Sequence, residues 1–444
     1  MSSRLSPPAP NPEAGTVRAN LLALGVAEGA ARLAQLLTIA LLGRVLGPAG
    51  LGIVGVAWAV FQLAAPFVQY APELMGARLV AQGMHTDEAF IDVTAIKLAI
   101  GLLSTAAMVA GALVAFVDDS GERLQVLVQA LLPIAVALNG VWAFRGLRRF
   151  SAYAVVRILH SVVLLGCLAA ALVVRPVTWV VPAAEAAVGI AASALAFRLL
   201  FEWQALPGLA RTMYRRSFQL RARIREALQF GIGSFFAGAT WSVPLLVAGA
   251  MLEPARQGYL AGALRLILAV TALYQLALQV FHPVLAHRYA HDRAAGSSLA
   301  AALVVYAIVT TVPVAAGLVA FAPWIVTLLL GPDFAGMANV FAVLALTIVP
   351  VVVGSVFGYA LLADGRYGLY VWICAGGAAA ALAGCALAFY LRPRADAVGV
   401  LILVTSLTAV VSAVAAWRYD LVRFADIHPG QLSPSRIRKI LMER

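Results

Sequence analysis

The chain has 444 residues, 63% of them hydrophobic and 12% charged, with a mean hydropathy of +0.93. Ordinary soluble domains carry about 25% charge, so this composition excludes a soluble globular protein and implies a polytopic membrane protein. A formal net charge of +12 would suit nucleic acid, but the placement of the bases assigns them to the membrane surface instead.

The first stretch, "MSSRLSPPAPNPEAG", is polar and Pro-rich. It lacks the apolar core of a cleavable signal peptide, and residues 1–19 read as a disordered cytoplasmic tail. A bilayer core about 30 Å thick needs roughly 20 apolar residues per helix. That ruler predicts spans at 20–42, 50–71, 95–117, 124–144, 154–174, 177–200, 229–251, 258–281, 298–322, 336–361, 367–391 and 397–417. Only "RPVT" divides the fifth from the sixth, and "FAPWIVTLLLGPDF" after the ninth predicts a short interfacial helix. The apolar runs are continuous rather than alternating, which excludes a β-barrel. The expected fold is an all-α polytopic membrane protein of about twelve transmembrane helices.

Lys and Arg in the loops set orientation. With a cytoplasmic N-terminus the inner side collects 24 of the 32 bases, the outer side six, and Arg32 and Arg265 lie inside helices. The inner set includes Arg78, Lys97, Arg145, Arg149 and Arg157; the outer set is Arg44, Arg123, Arg175, Arg256, Arg392 and Arg394. Both termini are therefore expected inside. The basic linker at 201–228, containing "RTMYRRSFQLRARIRE", reads as an inner-leaflet contact, as does the basic tail at 418–444. Anionic membrane lipids, not nucleic acid, are the expected partners of these bases.

The linker also marks the midpoint of a repeat. "VLGPAGLGIVGVAWAVF" from Val45 aligns without gaps with "MLEPARQGYLAGALRLI" from Met251, so that Leu46, Pro48, Gly52 and Ala57 match Leu252, Pro254, Gly258 and Ala263. "RFSAY" at Arg149–Tyr153 parallels "RYGLY" at Arg366–Tyr370. Each pair occupies the equivalent loop of its half. Two six-helix bundles, 20–200 and 229–417, related by a pseudo-two-fold axis along the membrane normal, are expected around a central cavity.

No catalytic constellation is present. The pair Asp118–Asp119 lies in a short outer loop, no P-loop occurs, and His and Cys spacing fits no metal site. The outer loops are too short for the chemistry of a polymerase or ligase. Cys167, Cys374 and Cys385 fall in apolar runs and read as buried free thiols.

The stretches "GRVLGPAGLGIVGVAWAVF", "PARQGYLAGALRLI" and "LLGPDFAGMANVFAVLALTIVPVVVGSVFGYALLADGRYGLY" resemble the polysaccharide flippase branch of the multidrug/oligosaccharidyl-lipid/polysaccharide exporter superfamily. The resemblance covers about residues 20–420. It implies a flippase of the bacterial inner membrane that moves undecaprenyl-diphosphate-linked oligosaccharide for cell-surface polysaccharides such as O-antigen or exopolysaccharide. It implies no resident cofactor, coupling to a proton or sodium gradient or to the membrane potential, and a polysaccharide polymerase of the same pathway as a partner. The alternative within the superfamily is a cation-coupled exporter of drugs or other lipids.

Arg32 falls near mid-bilayer, where a charge costs roughly 2.5–3.5 kcal/mol, and Glu28 lies one turn below it. An i, i+4 pair is expected. It is either a structural ion bridge or a cavity site, with Arg32 holding the substrate's diphosphate and Glu28 balancing its charge. Arg265 is the second candidate for the diphosphate, on the opposing cavity wall that the resemblance implies; otherwise it snorkels outward. Glu185 is either a coupling site or a neutral buried carboxyl. Glu73 is expected to pair with Arg78, Arg44 to be interfacial, and His160 and His282 to be ordinary residues near helix ends.

Overall fold

The computed structural model describes residues 14–81, 83–115, 120–147, 149–201, 221–391 and 398–422. The expected tail at 1–19, linker at 201–228, tail at 418–444 and the pair Asp118–Asp119 lie wholly or largely outside these residues. The described residues are helical, with no strand among them.

The helices are α1 (Ala14–Ala65), followed by a π segment (Pro66–Tyr70), α2 (Ala71–Ala81), α3 (Thr86–Ala115), α4 (Ser120–Gln129), α5 (Leu132–Ala137), α6 (Trp142–Gly146), α7 (Phe150–Val174) and α8 (Val180–Leu200). The second half has α9 (Arg221–Met251), α10 (Pro254–His291), α11 (Arg293–Ala320), α12 (Ala322–Leu330), α13 (Ala338–Ala345), α14 (Ile348–Ala363), α15 (Tyr367–Leu391) and α16 (Val398–Arg418).

Eleven stretches are long and apolar enough to cross a membrane. The first, Gly25–Val80, has 56 residues, about 84 Å of helix at 1.5 Å per residue, and so cannot be a single crossing. It breaks at Gly47, whose φ of 66° suits glycine. Pro48 follows and disfavours helical backbone at the residue before it. Counting that break, the crossings number twelve, as expected. The separate helix expected in "FAPWIVTLLL" is α12.

The chain clusters into two compact units. Unit 1 comprises 1–41 and 60–235, and unit 2 comprises 42–59 and 236–444. The bundles drawn from the sequence, 20–200 and 229–417, differ from these units in one main respect: residues 42–59, the connection after the first span and the start of the second, cluster with unit 2.

In unit 1 the core gathers Met75, Phe90, Ile96, Trp142, Phe144 and Phe197. A Cβ at Gly76 would fall 2.6 Å from the Trp142 ring, so glycine there lets α6 lie against α2. In unit 2, α14 packs against α10, α11 and α16. Tyr289 donates to the Leu421 carbonyl at 2.7 Å, which ties the end of the last helix to α10. Burial raises its phenol, aided by the Asp364 carboxylate and opposed by Arg293, so it stays a donor. Asp364 is itself held by Arg293 at 3.2 Å and by Arg366 at 2.8 Å.

The repeat is visible as a contact within unit 2. A Cβ at Gly52 would strike the Pro254 carbonyl, and one at Gly258 would strike the Pro48 carbonyl. Gly55 meets Ala261, its own counterpart in the alignment. Residues matched by sequence thus contact one another reciprocally, as a two-fold operation requires.

Candidate functional site

In unit 1 the membrane helices are irregular at one place, and charge collects there. Proline at the start of the π segment is followed by the wider turn in which the Ala71 N–H reaches the Pro66 carbonyl. Such segments recur at functional positions. Asn139 and Gly140 lie between α5 and α6, where Asn139 Oδ1 accepts the Val141 N–H at 2.8 Å and holds the chain out of helix. Broken backbone at membrane depth survives only inside protein or beside water.

Lys97 fills this gap. It sits three turns into α3 and is fully buried. Its Nζ donates to the Asn139 carbonyl at 2.9 Å and to Glu73 Oε1 at 3.0 Å. Glu73 begins α2 and is 8% exposed. Its other oxygen accepts Arg145 Nη2 at 3.3 Å. The Arg145 guanidinium also lies 5.8 Å from the centre of the Tyr153 ring. Tyr153 Oη donates to Glu28 Oε1 at 2.6 Å, and Arg157 Nε lies 3.8 Å from the same oxygen. Tyr70, at the end of the π segment, is half-exposed.

Three expectations are corrected here. The expected Glu28–Arg32 bridge does not form: Arg32 Nη1 donates to Gln35 Oε1 at 3.0 Å, while Glu28 takes Tyr153 and Arg157. A partner from another helix reaches the carboxylate in better geometry than the i+4 neighbour does. Glu73, expected to pair with Arg78, holds Lys97 and Arg145. Lys97, Arg145 and Arg157, assigned to the inner loops, are members of an intramembrane network.

Within this linked set three bases, Lys97, Arg145 and Arg157, meet two acids, Glu28 and Glu73, and Arg32 lies one turn along α1 from Glu28. The set carries one positive charge in excess. The side chains of Arg145 and Arg157 are 41% and 36% exposed, whereas those of the acids are 10% and 11%. Arg145 and Arg157 are therefore the more open members of the set, while Lys97 and the two acids are enclosed.

Glu185 lies half-buried on α8, beside Ala186 of a small apolar cluster with Phe61, Ala65, Met108 and Leu132. In unit 2, Arg265 stacks on Trp58, its guanidinium 5.1 Å from the ring centre, a cation–π contact that the repeat does not disclose, since it aligns Arg265 with Ala59. Arg44 is a helix cap: Nε donates to the Leu329 carbonyl at 3.1 Å and Nη2 to that of Leu328, satisfying the last carbonyls of α12. Cys374 and Cys385 are buried as expected; Cys167 is exposed. Among the described residues no group of His, Cys, Asp and Glu could hold a metal ion.

A family model described as "Polysaccharide biosynthesis protein" matches residues 17–289. Among solved structures, the chain is similar to an inward-facing multidrug resistance MATE family transporter of the MOP superfamily, with a TM-score of 0.68 and 13% identity over 90% of this chain and 98% of that one. It is similar to the lipid II flippase MurJ in an inward closed conformation, with a TM-score of 0.67 and 12% identity over 94% and 91%. A MOP superfamily transporter from Pyrococcus furiosus, described as having reverse polarity of its binding pocket, gives 0.57 and 15% over 91% and 95%. At these identities the likeness is one of fold. No curated protein sequence matches the chain.

Proposed function

This chain belongs to the polysaccharide biosynthesis protein family, and from that premise we propose that it is a flippase for undecaprenyl-diphosphate-linked oligosaccharide in the bacterial inner membrane. The observation that carries the reading is the cationic network of unit 1. A diphosphate diester bears two negative charges, and the network's one positive charge in excess together with the Arg32 guanidinium on the same unit would answer them. Arg32 leads: its planar guanidinium matches phosphate oxygens bidentately and keeps its charge at any physiological pH. Arg265, held flat by Trp58, is the second candidate contact. Glu28 fixes Arg157 and Tyr153 rather than balancing Arg32, and Glu185 is the proposed site of coupling to a proton or sodium gradient. A cationic drug would meet repulsion at this network, which disfavours the multidrug alternative.

Arg32→Lys should lower export about 10-fold or more, because charge remains but the bidentate hydrogen bonds, worth about 1.5–3 kcal/mol, are lost. The assay is complementation of surface polysaccharide export at matched protein abundance. Full export by this variant would sink the role of Arg32. The orientation has its own check. Cysteines placed at Arg216 and Asp119 should label from opposite sides of the membrane, and labelling of both from one side would overturn the proposed cytoplasmic termini.

A further inference from the structure

Glu73 holds two bases at once, and they differ in freedom. Lys97 is 3.0 Å from one carboxylate oxygen with its side chain fully buried; Arg145 is 3.3 Å from the other with its side chain 41% exposed. Lys97 is pinned a second time by the Asn139 carbonyl at 2.9 Å, and that carbonyl is set in place by the turn at Asn139–Val141. Arg145 lies at the far end of α6, a helix of five residues, where it meets Glu73 and the Tyr153 ring. Of the two bases, Arg145 is the one that can leave.

A buried carboxylate served by one base cannot release it without stranding a charge or taking up a proton. With two bases the constraint lifts. We infer that Lys97 is a resident counter-ion: it keeps Glu73 neutralised while Arg145 turns to an anionic group of the cargo, so that binding proceeds without proton uptake. The inference rests on the reading of unit 1 as a diphosphate site, adds Arg145 to that site, and makes Lys97 a positioning residue that never touches the cargo.

The elements packed against α2 are α3, α6 and the π segment. Their charged and titratable groups are Asp87, Glu88, Asp92 and Lys97 on α3, Arg145 on α6 and Tyr70 in the π segment, with Arg78 on α2 itself; of these, Lys97 and Arg145 pair with Glu73. The adjoining α7 contributes Arg157 and His160. Both are common to every variant below, so differences between variants cancel them.

The probe is N-acetylglucosamine joined through a diphosphate diester to a farnesyl chain, which keeps both negative charges throughout the range used. Its binding to the full chain in detergent is measured by calorimetry at about pH 5.5 and about pH 8. The parent protein should change affinity by less than about threefold between the two. Lys97→Met should bind about 10-fold or more weakly at the higher pH, because Glu73 must then be protonated before Arg145 is released. The double variant Lys97→Met/Glu73→Gln removes the acid together with its counter-ion and should bind as the parent does, without pH dependence.

A Lys97→Met protein with the parent's affinity and pH profile would overturn the inference, as would a double variant that stays pH-dependent. Should Lys97→Met not fold, Arg145→Gln decides: it must weaken the probe by about 10-fold, and unchanged affinity refutes the release of Arg145. Absence of probe binding to the parent protein would refute instead the reading on which the inference rests. The two failures are thereby distinguishable.

Discussion

Replacing Glu73 by alanine should destabilise the protein by about 3–5 kcal/mol, because it leaves the Lys97 ammonium buried with no carboxylate. Arg145, the other partner, loses little, since its guanidinium already reaches solvent. Lys97 has no such exit. It lies three turns into α3 at 0% exposure, and its stem is packed among the residues that fill unit 1. Thermal unfolding in detergent, followed by tryptophan fluorescence, reads the effect. Glu73→Ala/Lys97→Met should recover most of the loss, since the cost arises from the stranded charge rather than from the missing side chain. A single variant as stable as the parent would mean that Lys97 is neutral in the folded protein, and the charge count of the network would fall with it.

Gly258→Ala should have the second largest effect, about 1–3 kcal/mol or more. The added methyl would be driven into the Pro48 carbonyl, and backbone cannot step aside as a flexible side-chain end can. The crossing of the 42–59 segment over α10 must widen, and the contacts of Leu51 with Gly262 and of Gly55 with Ala261 loosen together. Gly317→Ala is the control. No atom lies within 4 Å of a Cβ there, and alanine in a helix is favoured over glycine by roughly 0.5–1 kcal/mol. Equal behaviour of the two variants would show that the close approach of the crossing segments is not what holds them.

The sequence discloses the helices well because bilayer thickness is an external ruler. A break of Gly followed by Pro must fall where one long apolar run is too long for one crossing, and Gly47 is where it falls. The repeat is legible for a related reason: Pro48, Gly52, Pro254 and Gly258 are constrained by contact with each other's backbone, and such constraint leaves the residue types unchanged. The network of unit 1 is hidden for the converse reason. Lys97, Arg145 and Arg157 fall at or just beyond the ends of the predicted spans 95–117, 124–144 and 154–174, where bases read as inner-surface anchors. What keeps them inside helices is a partner 24 residues away for Lys97 and 72 for Arg145, a separation that no local window contains. One signal was available. Lys97 and Lys439 are the only lysines among the 32 bases, and a lysine retained where arginine is otherwise used suits a buried, compact point charge better than a surface anchor. The Glu28–Arg32 pairing failed similarly, since helical spacing describes neighbours on one helix and says nothing of a tyrosine on another.

The reciprocal seating of Pro48 on Gly258 and of Pro254 on Gly52 is the contact that two identical subunits would make at a dyad. In a true homodimer every side chain near that dyad arrives in duplicate. An arginine at the position of Arg265 would bring a twin at the position of Ala59, one helical turn from the Gly55–Ala261 contact, and two like charges would face each other across it. A single polypeptide escapes that arithmetic. Its two halves keep the shared backbone fit, yet one can mutate without the other, and here one half carries the arginine while the other carries alanine and, one residue earlier, the indole on which that arginine rests. Joining the halves in one gene product is thus what permits an arginine on one side of this contact with no twin on the other.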